Sequence, residues 1–106
     1  VFKFAVNAST TEVESLLREL GLSKDDVSYY MVHQANQRII DAIKKYLNEP
    51  DKKFPVNISD HGNSSSASCL ILLDECNRKG MFQKGDILVF SAFGAGLLSG
   101  AAVLEW

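Results

Sequence analysis

His33 and Asn63 are two uncharged hydrogen-bond donors placed 30 residues apart, and Phe93 opens a glycine-containing turn a further 30 residues on. Each anchor sits in a polar or glycine-rich break that closes an apolar, strand-like run: His33-Gln34-Ala35-Asn36, His61-Gly62-Asn63 and Phe93-Gly94-Ala95-Gly96. That interval suits a strand-helix unit, so the repetition places an imidazole, a carboxamide and a flexible backbone turn at corresponding ends of successive strands. Open α/β sheets bind ligands along such an edge. Two neutral donors converging there are what an anionic oxygen developing on a thioester or ester carbonyl requires. They supply no nucleophile.

Taken singly, each signal has a plainer reading. A strand-end histidine is commonly held by backbone hydrogen bonds, an asparagine ahead of a helix is commonly a turn or cap residue, and a lone GxG is commonly a tight bend. It is the second donor at the equivalent end of the next strand that shifts the balance for His33. Helix amino ends near Asn36 and Ser64 would add positive potential at the same place, and the glycines after Phe93 let backbone N–H groups approach a substrate closely. Cys69 and Cys76 read as small core residues, because both fall in an apolar helix without the cationic or helix-start setting that favours thiolate. A zinc site from His33, His61, Cys69 and Cys76 fails on spacing, since no pair has a short metal-ligand interval. Ser64, Ser65, Ser66 and Ser68 read as small polar packing at a helix start, with no nucleophile-elbow pattern around them.

The elements that must position these residues follow from periodicity. Val1 to Asn7 alternates in the manner of a strand, whereas Thr11 to Leu22 carries Val13, Leu16, Leu17 and Leu20 at helical spacing, with Ser9, Thr10 or Thr11 as candidate caps and Gly21 near the end. Val27 to Val32 is short, aromatic and β-branched, a buried strand ending at His33. Asn36 to Leu47 is a helix with Ile39, Ile40, Ile43 and Leu47 inward. Pro50 and Pro55 bracket a charged loop, after which Val56-Asn57-Ile58 is a minimal strand. Ser64 to Lys79 is a helix stopped by Gly80, and its nearly all-round apolar middle calls for burial between two layers. Lys84-Gly85-Asp86 is a turn, Ile87 to Ala92 a strand, Phe93 to Gly96 a bend, and Leu97 to Leu104 a strand returning antiparallel. The fold class is therefore α/β, a mostly parallel sheet with one antiparallel carboxyl-terminal strand and helices packed on it.

Size and charge bound the rest. With 106 residues and 46% hydrophobic composition the chain supports one domain rather than two. A net charge of -2 offers no basic field for a polyphosphate backbone, which argues against nucleic acid as the main partner. The longest apolar stretches, Cys69 to Leu73 and Ile87 to Phe90, fall far short of the roughly 20 residues that cross a bilayer. Cys69 and Cys76 lie two helical turns apart, too distant for a comfortable disulfide, so both are expected reduced and the compartment intracellular and cytoplasmic. A first residue Val1 and an abrupt end at Trp106 suggest a piece of a longer protein.

At these same residues the chain resembles the carboxyl-terminal half of the β-ketoacyl-acyl-carrier-protein synthase III family of thiolase-fold condensing enzymes. His33-Gln34-Ala35-Asn36, His61-Gly62-Asn63-Ser64-Ser65-Ser66-Ala67-Ser68, and Gly85-Asp86 through Phe93-Gly94-Ala95-Gly96 to Gly100 occur in the family's order and approximate spacing. The resemblance spans nearly the whole chain and implies that residues 1–106 form a carboxyl-terminal thiolase-like domain. It implies a Cys-His-Asn triad in which His33 and Asn63 are the catalytic histidine and asparagine, while the cysteine belongs to an amino-terminal half absent from this sequence. On that basis the chain alone is expected inactive. The resemblance further implies decarboxylative Claisen condensation of an acyl-coenzyme A starter with malonyl carrier protein, with no cofactor and no metal. Asn36 is then a pantetheine contact, Phe93 a packing neighbour of the histidine, and Gly94, Ala95 and Gly96 part of the substrate-binding turn. Ala95 stands where the family often has glycine. The implied partners are acyl carrier protein, acyl-coenzyme A and the enzyme's own amino-terminal half, in a homodimeric full-length protein. The family also makes the first segment helical from about Phe2, with a break expected around Ser9 to Thr11.

Acyl carrier protein is acidic, which gives Arg38, Lys44 and Lys45 a shared use as a docking face beside the site mouth. The competing expectation for each is an ordinary solvated helix face. A related condensing enzyme using other starters or polyketide substrates, and a noncatalytic module that docks acyl carrier protein, are the alternative functions.

Overall fold

Alternation along one short strand decides how the layers form. In the computed structural model, which describes residues 2–33, 37–56, 68–94 and 98–106, strand β1 (Tyr29–Val32) sends Tyr30 and Val32 to one side and Met31 to the other. Tyr30 and Val32 join Val13, Leu17, Ile39, Ile40, Ile43 and Leu47 in one core, whereas Met31 packs with Leu72 and Cys76 in a second. Because side chains in a strand alternate between faces, these two cores lie on opposite sides of the sheet. Helices α1 (Phe2–Glu19) and α2 (Gln37–Leu47) cover the first face, and α3 (Ser68–Arg78) lies over the second.

The sheet order is β1-β2-β3, with β2 spanning Ile87–Gly94 and β3 spanning Leu98–Glu105. β1 runs parallel to β2, pairing Tyr29 with Leu88 and Val32 with Ser91, and β2 runs antiparallel to β3, pairing Ile87 with Glu105 and Gly94 with Leu98. The mixed α/β sheet with helices on both faces and an antiparallel carboxyl-terminal strand agrees with the expectation. Parallel partners need a long crossover, and the chain between β1 and β2 includes α2 and α3.

Several local expectations change. α1 runs without interruption through Ser9, Thr10 and Thr11, so these residues neither break nor cap it. Ser9 and Thr10 are completely buried, and the Thr10 hydroxyl donates back to the carbonyls of Val6 (2.8 Å) and Asn7 (3.2 Å) within the same helix. A hydroxyl satisfied in this way no longer competes with the helix for a cap. β2 is longer than expected, since Phe93 and Gly94 remain paired with Ser99 and Leu98 instead of opening the bend. Val56 carries no sheet pairing, and the other residues of its expected strand, Asn57 and Ile58, lie outside the described residues, as do Ser64 to Ala67, with which the third helix was expected to begin. α3 has one covered side only: Cys69, Leu72 and Cys76 are buried, while Leu70 is 66% exposed.

Among the described residues, the three α-helices end in the same way. Gly21 (φ 72°), Asn48 (φ 56°) and Gly80 (φ 70°) adopt left-handed backbone. The following N–H groups of Leu22, Glu49 and Met81 reach back to Leu17, Lys44 and Cys76. These bonds satisfy carbonyls that the last helical turn leaves without partners.

The start of β1 is clamped by a buried polar group at the end of the sheet away from His33. The Tyr30 hydroxyl donates to Glu49 Oε2 at 2.6 Å, Lys53 Nζ meets both Glu49 oxygens at 3.2 and 3.3 Å, and the Tyr30 ring stacks on Phe54 at 4.7 Å. Burial, with Glu49 beside it, pushes the Tyr30 phenol far above its ordinary value, so the hydroxyl acts only as a neutral donor. Tyr30→Phe leaves Glu49 bonded to Lys53 but removes a charge-assisted hydrogen bond. We expect a loss of about 1.5 to 3 kcal/mol in chemical denaturation, with an unchanged slope against denaturant.

Candidate functional site

His33 follows β1 directly and is 4% exposed. Its backbone N–H donates to the carbonyl of Ser91 at 2.8 Å, which carries the parallel ladder one residue beyond the Val32–Ser91 pair. The histidine therefore leaves the sheet at the carboxyl edge of two parallel strands, the edge at which such sheets expose a ligand crevice. Phe93 and Gly94 end β2 on that same edge. Asn36, Asn63, Ala95 and Gly96, together with His61, lie outside the described residues. The structure thus brings together His33 and the backbone end of β2.

One contact at this edge had no warning in the motifs. Cys69, at the start of α3, places Sγ 3.6 Å from the Met31 carbonyl and 3.6 Å from the Ser91 carbonyl. No local signal marks it, because both acceptors are main-chain carbonyls that any residue type would supply. Burial pushes the Cys69 thiol up to about 11, and it raises the Cys76 thiol as well, with Lys79 acting in the opposite direction. Both thiols are free and buried.

The polar side of α2 is organised as a chain of partners. Gln37 Nε2 donates to Asp41 Oδ1 at 2.9 Å, and Lys44 Nζ sits 3.3 Å from Asp41 and 3.0 Å from Asp51. The Gln37 amide, then the Lys44 ammonium, hold the Asp41 carboxyl below its ordinary value, and Asp51 above all raises Lys44. Lys44 is also the least open of the three expected docking cations, with its side chain 15% exposed and its ammonium 6.0 Å from the Phe54 ring centre. Arg38 and Lys45 are exposed and seven residues apart, two turns along one side of the helix. Among the described residues no group of three or more His, Cys, Asp or Glu is placed to hold a metal ion, and no helix is long and apolar enough to cross a membrane.

The sequence pattern of the family described as 3-oxoacyl-(acyl-carrier-protein) synthase III C terminal matches residues 17–106. The β-ketoacyl-(acyl-carrier-protein) synthase III of Acaryochloris marina is 44% identical over all 106 residues, which span 32% of that protein. The crystal structure of the synthase III from Thermus thermophilus superposes with a TM-score of 0.96 at 40% identity, covering 100% of this chain and 33% of that one. The synthase III from Aquifex aeolicus gives a TM-score of 0.96 at 39% identity, covering 99% of this chain and 34% of that one. The chain spans about a third of the length of the relatives it matches. With nearly its whole length inside the family's sequence pattern and a thiolase-like fold superposing this closely, the chain belongs to the carboxyl-terminal part of the 3-oxoacyl-(acyl-carrier-protein) synthase III family.

Proposed function

We propose that residues 1–106 are the carboxyl-terminal catalytic domain of a β-ketoacyl-acyl-carrier-protein synthase III. The enzyme joins an acyl-coenzyme A starter to malonyl carrier protein in the first condensation of fatty-acid synthesis. The observation that carries the reading is His33, buried at the carboxyl edge of a parallel strand pair and fixed through its own backbone to the neighbouring strand. Family membership and the Asn63 motif support the second donor.

In this reading an enzyme cysteine elsewhere in the protein holds the acyl group as a thioester. Malonyl carrier protein then loses carbon dioxide, and the electrons of the broken carbon–carbon bond become an enolate. His33 and Asn63 each donate a hydrogen bond to the enolate oxygen. The enolate carbon attacks the acyl carbonyl, and the cysteine sulfur leaves as thiolate. Neutral donors suit this task, since they stabilise charge that exists only along the reaction path. Asn36, Phe93, Gly94, Ala95 and Gly96 shape the pantetheine and acyl side of the site.

Neither cysteine of this chain suits the acyl-holding role. Cys69 is 5% exposed, Cys76 is 3% exposed, and burial disfavours thiolate at both. The chain by itself is therefore inactive in this reading. Since an unfolded thiol ionises near 9.0 and native Cys69 near 11, raising the pH through that window weakens the native state relative to the unfolded one. Iodoacetamide at pH 8 to 9 should label both cysteines of denatured protein and leave native Cys69 at least about tenfold slower, read by mass spectrometry.

His33→Ala and Asn63→Ala in the complete enzyme should each lower malonyl decarboxylation by about 10² to 10³. Wild-type decarboxylation in either variant defeats that residue's assignment. Carrier docking falls on Arg38 and Lys45, with Lys44 contributing less because Asp41 and Asp51 already neutralise it. Arg38→Glu with Lys45→Glu should cut kcat/KM for malonyl carrier protein about tenfold at low salt and flatten its salt dependence. Equal losses with carrier-free malonyl-coenzyme A would contradict docking at this face.

A further inference from the structure

We propose that Cys69 is a positioning residue for His33: its sulfur, seated against the Met31 carbonyl of β1 and the Ser91 carbonyl of β2, sets where the histidine leaves the sheet. The inference rests on the reading of His33 as an enolate-stabilising donor. Cys69 Sγ stands 3.6 Å from the carbonyl oxygens of both Met31 and Ser91, and that same Ser91 carbonyl accepts the His33 N–H at 2.8 Å. A single acceptor thus joins α3, β2 and the residue that bears the imidazole. Met31 lies two residues before His33, so the thiol touches β1 and its neighbour β2 just ahead of the point where the chain turns away.

A thiol has one hydrogen, and here it is shared between two oxygens. Each bond is weak. Their leverage is geometric. With Cys69 5% exposed, water has little access to replace the thiol if it is removed. α3 opens five residues after Asn63, so the contact also ties the element that follows one proposed donor to the strand end that carries the other. A displacement of about 1 Å in a catalytic group can cost on the order of 10² in rate, which lets a weak bond have a visible kinetic effect.

The test compares Cys69→Val, which removes the donor at similar bulk, with Cys69→Ser, which keeps one, both in the complete enzyme. The readouts are malonyl decarboxylation at saturating substrate, its pH-rate profile and the thermal midpoint, with His33→Ala as control. We expect Cys69→Val to lower kcat about three- to tenfold with KM unchanged and a displaced pH profile, and Cys69→Ser to recover most of the rate. A purely apolar packing role predicts the opposite order, with valine harmless and serine damaging, and that order overturns the proposal. Should Cys69→Val fail to fold, Cys69→Ala supplies the same comparison. Wild-type kcat and pH profile in the donor-less variant, with decarboxylation lost in His33→Ala, overturns the positioning role and leaves the site reading intact. Wild-type decarboxylation in His33→Ala removes both.

Discussion

The hydrogen bond from the His33 N–H to the Ser91 carbonyl, 2.8 Å long, is the constraint on which the site depends. It carries the hydrogen bonding of the parallel ladder on to His33, so the residue bearing the imidazole is anchored to the sheet through its own backbone where the chain leaves β1. A histidine on a free loop would have many orientations to lose. One held by the ladder has lost them already during folding, which is the sense in which a rigid scaffold pre-organises a catalytic group. The hydrophobic alternation of Tyr30, Met31 and Val32 makes this possible, because slipping β1 by one residue would exchange the contents of the two cores.

Charge is handled differently at the two ends of that strand. At its start, Tyr30, Glu49 and Lys53 form a buried group in which the carboxylate accepts from both a phenol and an ammonium. Lys53 also donates to the Lys24 carbonyl at 3.0 Å, tying in the turn that precedes the strand. Such a group holds together only when complete, since leaving one charge unpaired in the interior is costly. At the other end, the strand delivers a histidine beside backbone carbonyls and a neutral thiol. On α2 the carboxylates of Asp41 and Asp51 take up Lys44. Arg38 and Lys45, two turns apart on the same helix, are exposed.

Much of this was legible in the residues. Apolar spacing located the second half of α1 and all of α2, segment length and Gly80 located α3, β-branched and aromatic runs located the strands, and Gly21 and Gly80 marked helix ends through their tolerance of left-handed backbone. The polar break at His33 correctly located the end of the first strand, because an apolar, β-branched run closes there. Other features depended on the fold and had no local signature. Ser9, Thr10 and Thr11 resemble a cap in sequence, but only the buried surroundings of Ser9 and Thr10 and the Thr10 back-bonds show a continuous helix. Asn48 ends α2 in the glycine-like conformation, a role that asparagine fills less often than glycine. Lys44 was indistinguishable from Lys45 until Asp51, from the next turn, reached it. Cys69 read as core filler because a thiol's partners, two carbonyls from two strands, are set only by the sheet.

In the proposed reading, the separation of roles between this chain and the rest of the enzyme follows from the same physics. A nucleophilic cysteine needs a setting that favours thiolate, whereas the environment around Cys69 and Cys76 favours the protonated form. An edge built to present neutral donors to a transient anion gains from being dry and rigid, which is the environment that holds a thiol inert. The two demands conflict when they are placed in one buried layer beneath one strand pair. Supplying the nucleophile from a different part of the protein lets each group keep the surroundings its chemistry requires. The two halves then need meet only at the reacting carbonyl, and the quality of that meeting depends on how firmly β2 holds the end of β1.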